Sequence, residues 1–258
     1  MSQEKPAKSE NRASKAKSKK RAREDDSAPR KRKKSAFEQE DLNLDLEAGV
    51  NKEIALFDSM LLADHLAQKT RRFGTDLPPV ELSTLDISPN AIRDTSSYQE
   101  IRNLENLPAF LEAHTEKPES LGEAPKQKGS PHTIIVAGAG LRAADLVRAV
   151  RKYQKKNNTV AKLFAKHIKI EESKQFLHKH RTGIAVGTPV RLNDLVESGS
   201  LKLDNLERLV VDASHIDQKK RGILDMKETM IPLARWLART EFKVKYADAE
   251  KPLQLLFY

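Results

Sequence analysis

From His132 onward, short apolar runs alternate with amphipathic stretches, and that rhythm limits the fold more than any other feature of the chain. Ile134-Ile135-Val136-Ala137 is an uninterrupted apolar run of strand length. Leu141 to Tyr153 then places Leu141, Ala144, Val147 and Val150 on one helical face. Val160 to Phe164, Ile184 to Val186 and Leu209 to Val211 read as further strands, and Leu253 to Phe257 as a last one. Between them, Glu171 to His180, Val190 to Val196 and Asp225 to Arg239 read as helices, the last bent or delayed by Pro232. Strands without polar alternation are buried on both faces, so helices must cover both. The rhythm predicts an α/β fold over 132–258, a parallel sheet with flanking helices.

The chain before His132 lacks this rhythm. Residues 50 to 72 carry Ile54, Phe57 and Leu61 on one stripe, widened by Leu62 and Leu66, which predicts a helix stopped by Gly74. From there to residue 131, Leu77-Pro78-Pro79, Ser88-Pro89 and Leu107-Pro108 break up short apolar runs. Segment 50–131 therefore reads as a largely irregular extension, with one helix and a short second one over 98–105. Its anchors, Phe110 and Leu111 above all, suit docking into a groove of a partner or of the α/β domain.

Charge is unevenly placed. Residues 1–34 hold 14 Lys/Arg against five Asp/Glu, a formal charge of +9, while the remaining 33 Lys/Arg and 32 Asp/Glu leave only +1. Residues 1–49 have too little apolar surface to offset the entropy of ordering, which predicts a disordered tail. Within it, Lys19-Lys20-Arg21 and Lys31-Arg32-Lys33-Lys34 are nine residues apart, the pattern of a bipartite nuclear localisation signal. A polyanionic partner is expected mainly for this arm. The chain has no cysteine, which excludes disulfides, thiolate metal sites and a cysteine nucleophile. No run is long enough to span a membrane.

Three short motifs carry possible chemistry. Gly138-Ala139-Gly140-Leu141-Arg142-Ala143 follows a strand and opens a helix, as in dinucleotide-binding domains. The acidic residue such a site needs on the next strand is missing; Lys162, Lys166 and His167 stand there instead. A glycine turn is the plainer reading, with Arg142 and Arg148 able to meet phosphate. Thr188-Pro189-Val190-Arg191 starts a helix by its own chemistry, with Thr188 as N-cap and Pro189 in the first turn. Thr188 and Arg191 could also converge there on an RNA phosphate. Asp212 ends an apolar strand, where a nucleoside triphosphatase orients Mg²⁺, but its neighbour is Ala213 and no Gly-Lys-Ser/Thr occurs in the chain. His178 and His180 lie two apart on a helix end and lack partner ligands, so no metal site is expected.

Residues 132–216 resemble the first RecA-like domain of DEAD-box RNA helicases. Ala185-Val186-Gly187-Thr188-Pro189-Val190-Arg191-Leu192 resembles that family's V-G-T-P-G-R-L, with Val190 in place of a glycine. Asp212-Ala213-Ser214-His215 stands where D-E-A-D would be. The wider chain is similar to the Cms-one family, nucleolar DEAD-box-like proteins of small ribosomal subunit biogenesis. The matching stretches include Leu62-Ala63-Asp64, Asp94-Thr95-Ser96-Ser97, Leu104 to Leu111, Arg142 to Leu146 and Asp217-Gln218-Lys219-Lys220-Arg221. The resemblance implies a RecA-like sheet without ATPase activity, in a nuclear and nucleolar pre-ribosomal particle. Its partners would be pre-ribosomal RNA and small-subunit assembly factors, with no cofactor and no small-molecule substrate. The rival readings are an active RNA-dependent ATPase or helicase, and an NADP-dependent oxidoreductase built on Gly138-Ala139-Gly140.

Overall fold

The computed structural model describes residues 43–258. Lys19, Lys20, Arg21, Lys31, Arg32, Lys33 and Lys34 lie outside them. A two-stranded hairpin of β1 (Leu44–Asp45) and β2 (Val50–Asn51) comes first. Helices α1 (Glu53–Leu56), α2 (Ser59–Phe73), α3 (Pro79–Thr84) and α4 (Leu107–Ala113) follow, with irregular chain between α3 and α4. The α/β alternation then runs β3 (Thr133–Val136), α5 (Gly140–Ala149), β4 (Thr159–Leu163), α6 (Ile170–Lys179), β5 (Thr182–Gly187), α7 (Pro189–Glu197), β6 (Arg208–Val211), α8 (Lys227–Leu237), α9 (Thr240–Tyr246) and β7 (Gln254–Phe257).

The five strands β3 to β7 form one parallel sheet in the order β4-β5-β3-β6-β7. Strand side chains alternate between its faces, and each face has its own core. Ile134, Val136, Leu209, Val211, Leu255 and Phe257 join Leu177 of α6, Leu192 of α7, and Leu233 and Trp236 of α8. Ile135, Ala137, Ile184, Val186, Val210 and Leu256 join Ala143 and Leu146 of α5 with Phe110 and Leu111 of α4. The α/β sheet with helices on both faces that the alternation predicts is thus present. Ala161 to Leu163 pair with β5 one register away from Thr159, a bulge near the start of β4.

Several boundaries differ from the sequence reading. The helix expected across 50–72 breaks at Asp58, whose carboxylate accepts from the Leu61 N–H at 2.8 Å and restarts the helix as α2. Leu61 then faces solvent, while Leu62, Ala63 and Leu66 face the core. The short helix placed at 98–105 is instead α4 at Leu107–Ala113, with Pro108 in its first turn. The helix expected from Asp225 to Arg239 runs through Pro232 and ends at Leu237, and α9 begins beyond it.

The amino end of β3 holds a buried histidine with a defined proton. His132 Nε2 lies 3.0 Å from the Glu123 carbonyl, which can only accept, so Nε2 carries the hydrogen. Nδ1 therefore accepts from the Thr133 hydroxyl at 2.8 Å, whose oxygen accepts from Arg208 Nε. Burial, and then the charge of Arg208, pull His132 down to about 4. The folded protein disfavours the imidazolium, so the unfolded chain binds more protons between pH 6.5 and about 4. Stability from this group is full above pH 6.5 and is lost as pH falls through that window. The loss expected at His132 is on the order of 3 kcal/mol. Urea melts across that range should show a flatter pH slope in His132→Gln; an unchanged slope would remove His132 as its source.

Candidate functional site

Chemistry in a parallel sheet of this kind gathers at the carboxyl ends of the strands. Here those ends carry the Gly138–Gly140 turn after β3, Thr188 after β5 and Asp212 after β6. The centre is an ion pair. Arg142, in the first turn of α5, donates from Nε to Asp212 Oδ2 and from Nη2 to Oδ1, both at 2.8 Å. The side chains are 10% and 2% exposed, so this is a bidentate pair almost sealed from water. Burial penalises the Arg142 charge, but the Asp212 bonds and field outweigh that and raise its pKa. Neither oxygen of Asp212 is left without a cationic partner.

The turn that delivers Arg142 uses its glycines for packing. A Cβ on Gly138 would meet Ile223 at 3.2 Å, and one on Gly140 would meet the Lys166 Cβ at 3.1 Å. The close approach that a dinucleotide would need is already taken by the chain itself. At the end of β5, a Cβ on Gly187 would lie 2.5 Å from the Leu163 carbonyl oxygen and 2.7 Å from Leu192, so only glycine fits.

Segments from before the sheet cover its β6–β7 side. The Asn51 N–H donates to the Ser214 carbonyl at 2.7 Å, and the Ile216 N–H to the Gly49 carbonyl at 3.0 Å. His215 is half-buried under this strap, and burial first, then the Arg142 charge, lower its pKa. Farther along, Ile92 bridges Leu255 in parallel and the Arg93 N–H donates to the Leu255 carbonyl, which extends the sheet beyond β7. Arg102 locks the next stretch. It is 1% exposed and donates to the Phe257 carbonyl at 2.6 Å, the Thr95 carbonyl at 2.9 Å and Thr95 Oγ1 at 3.0 Å. Burial brings its guanidinium down to about 10, still charged at neutral pH. A shallow cleft of about 190 Å³ remains beside it, lined by Leu56, Tyr98, Ile101 and Ser214 among others.

Most of the residues singled out from sequence serve the fold. Arg142 is spent on Asp212 and is not free to hold RNA. Arg191 is 8% exposed; its guanidinium donates to the Ile168 carbonyl at 3.1 Å and to Ser173 Oγ at 3.2 Å, pinning the β4–α6 loop and α6 to α7. Both expected phosphate contacts meet the same obstacle: each charge is buried and engaged by internal acceptors. Thr188 is half-buried in the N-cap position of α7, yet its hydroxyl makes no capping bond; its carbonyl accepts the first intrahelical bond, from the Leu192 N–H. Arg148 is exposed and paired only with Asp145 on its own helix. Phe110 and Leu111 are 0% and 1% exposed inside the α5-side core, so a partner cannot reach them. Sequence reasoning missed Arg102 and the 49–51 strap, because a lone arginine between prolines and a two-residue strand carry no periodic signal.

The chain matches, over residues 1–258, the family described as CMS1: U3-containing 90S pre-ribosomal complex subunit. Protein CMS1 of Chaetomium thermophilum is 62% identical over 242 residues, covering 93% of this chain and 96% of that protein. Protein cms1 of Schizosaccharomyces pombe is 29% identical across 76% of this chain and 69% of its own length. Human Protein CMSS1 is 34% identical over 48% of this chain and 44% of its own. Among solved structures, a DEAD box protein from the hyperthermophile Methanococcus jannaschii overlaps 59% of this chain and 36% of its own, at 20% identity and a TM-score of 0.38. The fold rests on the sheet itself rather than on that overlap. A match along the whole chain, joined to a close relative nearly equal in extent, places this protein in the CMS1 family of ribosome biogenesis proteins.

Proposed function

We propose that the protein is a non-catalytic subunit of the 90S pre-ribosome, acting in small-subunit assembly in the nucleolus and contacting RNA and assembly proteins there. The family supports the particle. The observation that carries the non-catalytic part is the Arg142–Asp212 pair. A carboxylate clamped on both oxygens by a buried arginine has its charge neutralised and is a poor holder for Mg²⁺. No Gly-Lys-Ser/Thr supplies a phosphate-binding lysine. The basic tail would bring the protein into the nucleus through Lys19 to Arg21 and Lys31 to Lys34.

The expected result is no heat of binding with Mg-ATP or NADPH by isothermal titration, and co-sedimentation of the tagged protein with pre-ribosomal particles. RNA-stimulated phosphate release that Asp212→Ala abolishes would establish the ATPase reading instead. Tagged protein confined to the top of the gradient would remove the particle.

A further inference from the structure

We infer that the folded domain carries its own RNA-backbone surface at the amino-terminal edge of the sheet, opposite the edge that holds Asp212. The inference deepens the proposed role in a pre-ribosomal particle and rests on it for the presence of RNA.

The sequence supplies the charge and the topology gathers it. Residues 148–156 contain Arg148, Arg151, Lys152, Lys155 and Lys156 and no acidic residue. They form the end of α5 and the turn beyond it, where the chain reaches the amino ends of the strands. Val150 and Tyr153 turn inward and are buried, so all five cations are left on the exposed side. The ridge is held firmly. Asn158 Nδ2 donates to the Tyr153 carbonyl at 3.0 Å, while its Oδ1 accepts from the Gly183 N–H at 2.8 Å. The Tyr153 hydroxyl donates to Glu112 at 2.8 Å.

Two other basic stretches meet this ridge. The Thr159 N–H donates to the Arg181 carbonyl at 3.1 Å, which sets the start of β4 beside Lys179 and Arg181. Arg181 in turn donates from Nε to the Pro125 carbonyl at 2.9 Å, which draws in Lys126 and Lys128. A Cβ on Gly122 would lie 2.7 Å from Lys155 Nζ, so the same loop borders the ridge. Arg148 and Lys152 have carboxylate partners, Asp145 and Glu112. Arg151, Lys155, Lys156, Lys179, Lys126 and Lys128 have no ion-pair partner among the described residues.

The magnitude matters because residues 35–258 sum to only +1. On a nearly neutral domain these unpaired cations form a local concentration of positive charge, bordered by the exposed carboxylates of Glu119, Glu123 and Asp204. Fixed cations on a firm ridge suit a polymer of closely spaced phosphates, and they carry no base-reading geometry. At the opposite edge Arg142 and Arg191 are internally engaged, and Lys166 and Lys169 are the cations left to compare with the ridge.

The test uses the full chain and a fluorescein-labelled RNA hairpin, with anisotropy read across a salt series. Arg151→Glu, Lys155→Glu and Lys156→Glu together should lower affinity at low salt by at least about tenfold and reduce the log–log salt slope by about 2 to 3. The opposite-edge control, Lys166→Glu with Lys169→Glu, should change neither. An unaltered circular-dichroism melt of each variant confirms that a loss is local. A triple variant with wild-type affinity and slope overturns the inference, as does a loss confined to the opposite-edge control. Equal binding of a polyglutamate peptide that displaces the hairpin would assign the edge to an acidic protein and also overturn it. If the triple variant binds RNA normally while the wild type still co-sediments with particles, the edge is wrong and the proposed function stands. A wild type that never enters particles fails the function instead, whatever the hairpin shows.

Discussion

Arg142→Ala is expected to lower the melting temperature of the full chain by on the order of 10 °C. Removing one member of a buried, hydrogen-bonded ion pair leaves the other charge without a partner, at a cost of about 3–5 kcal/mol. For a domain of this size, 1 kcal/mol moves the midpoint by roughly 2–4 °C. Asp212 is the worse charge to strand, because it is 2% exposed and packed among apolar strand ends, whereas Arg142 at 10% can still lean toward water. Asp212→Ala should therefore cost less than Arg142→Ala. Replacing both by apolar residues, Arg142→Met with Asp212→Leu, should recover most of the loss, since neither charge is then stranded. Thermal melts of the wild type, Arg142→Met, Asp212→Leu and the double variant close a double-mutant cycle, and a large coupling energy is the expected outcome. If Arg142→Ala melts like the wild type but binds RNA more weakly, Arg142 is a phosphate contact and the pair is incidental.

That pair also marks how far the sequence could be read. The strands were legible because Ile134 to Ala137, Ile184 to Val186 and Leu209 to Val211 are apolar without alternation, and only a doubly covered sheet tolerates that. Asp212 stood out as an acid ending such a strand, and Arg142 as a cation after a glycine turn. Nothing in their spacing of 70 residues joins them, because a contact that spans β4, α6, β5, α7 and β6 has no local period. Read separately, Arg142 looks available for phosphate and Asp212 stands at a Mg²⁺ position stripped of its neighbours; together they neutralise each other. Arg191 misled in the same way, since its acceptors at Ile168 and Ser173 come from the neighbouring loop and helix.

Proline was the second source of error. Pro79, Pro108 and Pro189 stand in the first turns of α3, α4 and α7, and Pro89 and Pro118 open short 3₁₀ turns. A proline there loses no hydrogen bond, because the first N–H groups of a helix have no partner within it, and its fixed φ already suits the turn. Read only as breakers, the prolines between 78 and 118 made the extension look more extended than it is. Val190 shows the converse: Pro189 starts α7 whatever follows it, and Val190 remains 56% exposed at the helix start.

Phe110→Ala with Leu111→Ala should leave a chain that no longer holds its tertiary structure at physiological temperature. Phe110 contacts the rings of His114 at 4.3 Å, Tyr258 at 4.7 Å and Tyr98 at 5.2 Å, and the Arg102 guanidinium lies 5.6 Å from its ring centre. It joins α4 to the end of β7 and to the arginine that secures the covering segment. Leu111 is buried in the same core. Truncating a buried phenylalanine costs about 3–5 kcal/mol and a buried leucine about 2–5. Even with partial overlap between neighbours, the two approach the 5–15 kcal/mol that holds a typical domain together. Leu111→Ala alone should fold with a lowered midpoint. The double variant should be cut by protease across 74–131 and within the sheet together, because the extension and the sheet share one core. If it resists protease like the wild type and yet leaves pre-ribosomal particles in a gradient, Phe110 and Leu111 face a partner after all, and α4 is a docking element rather than part of the domain.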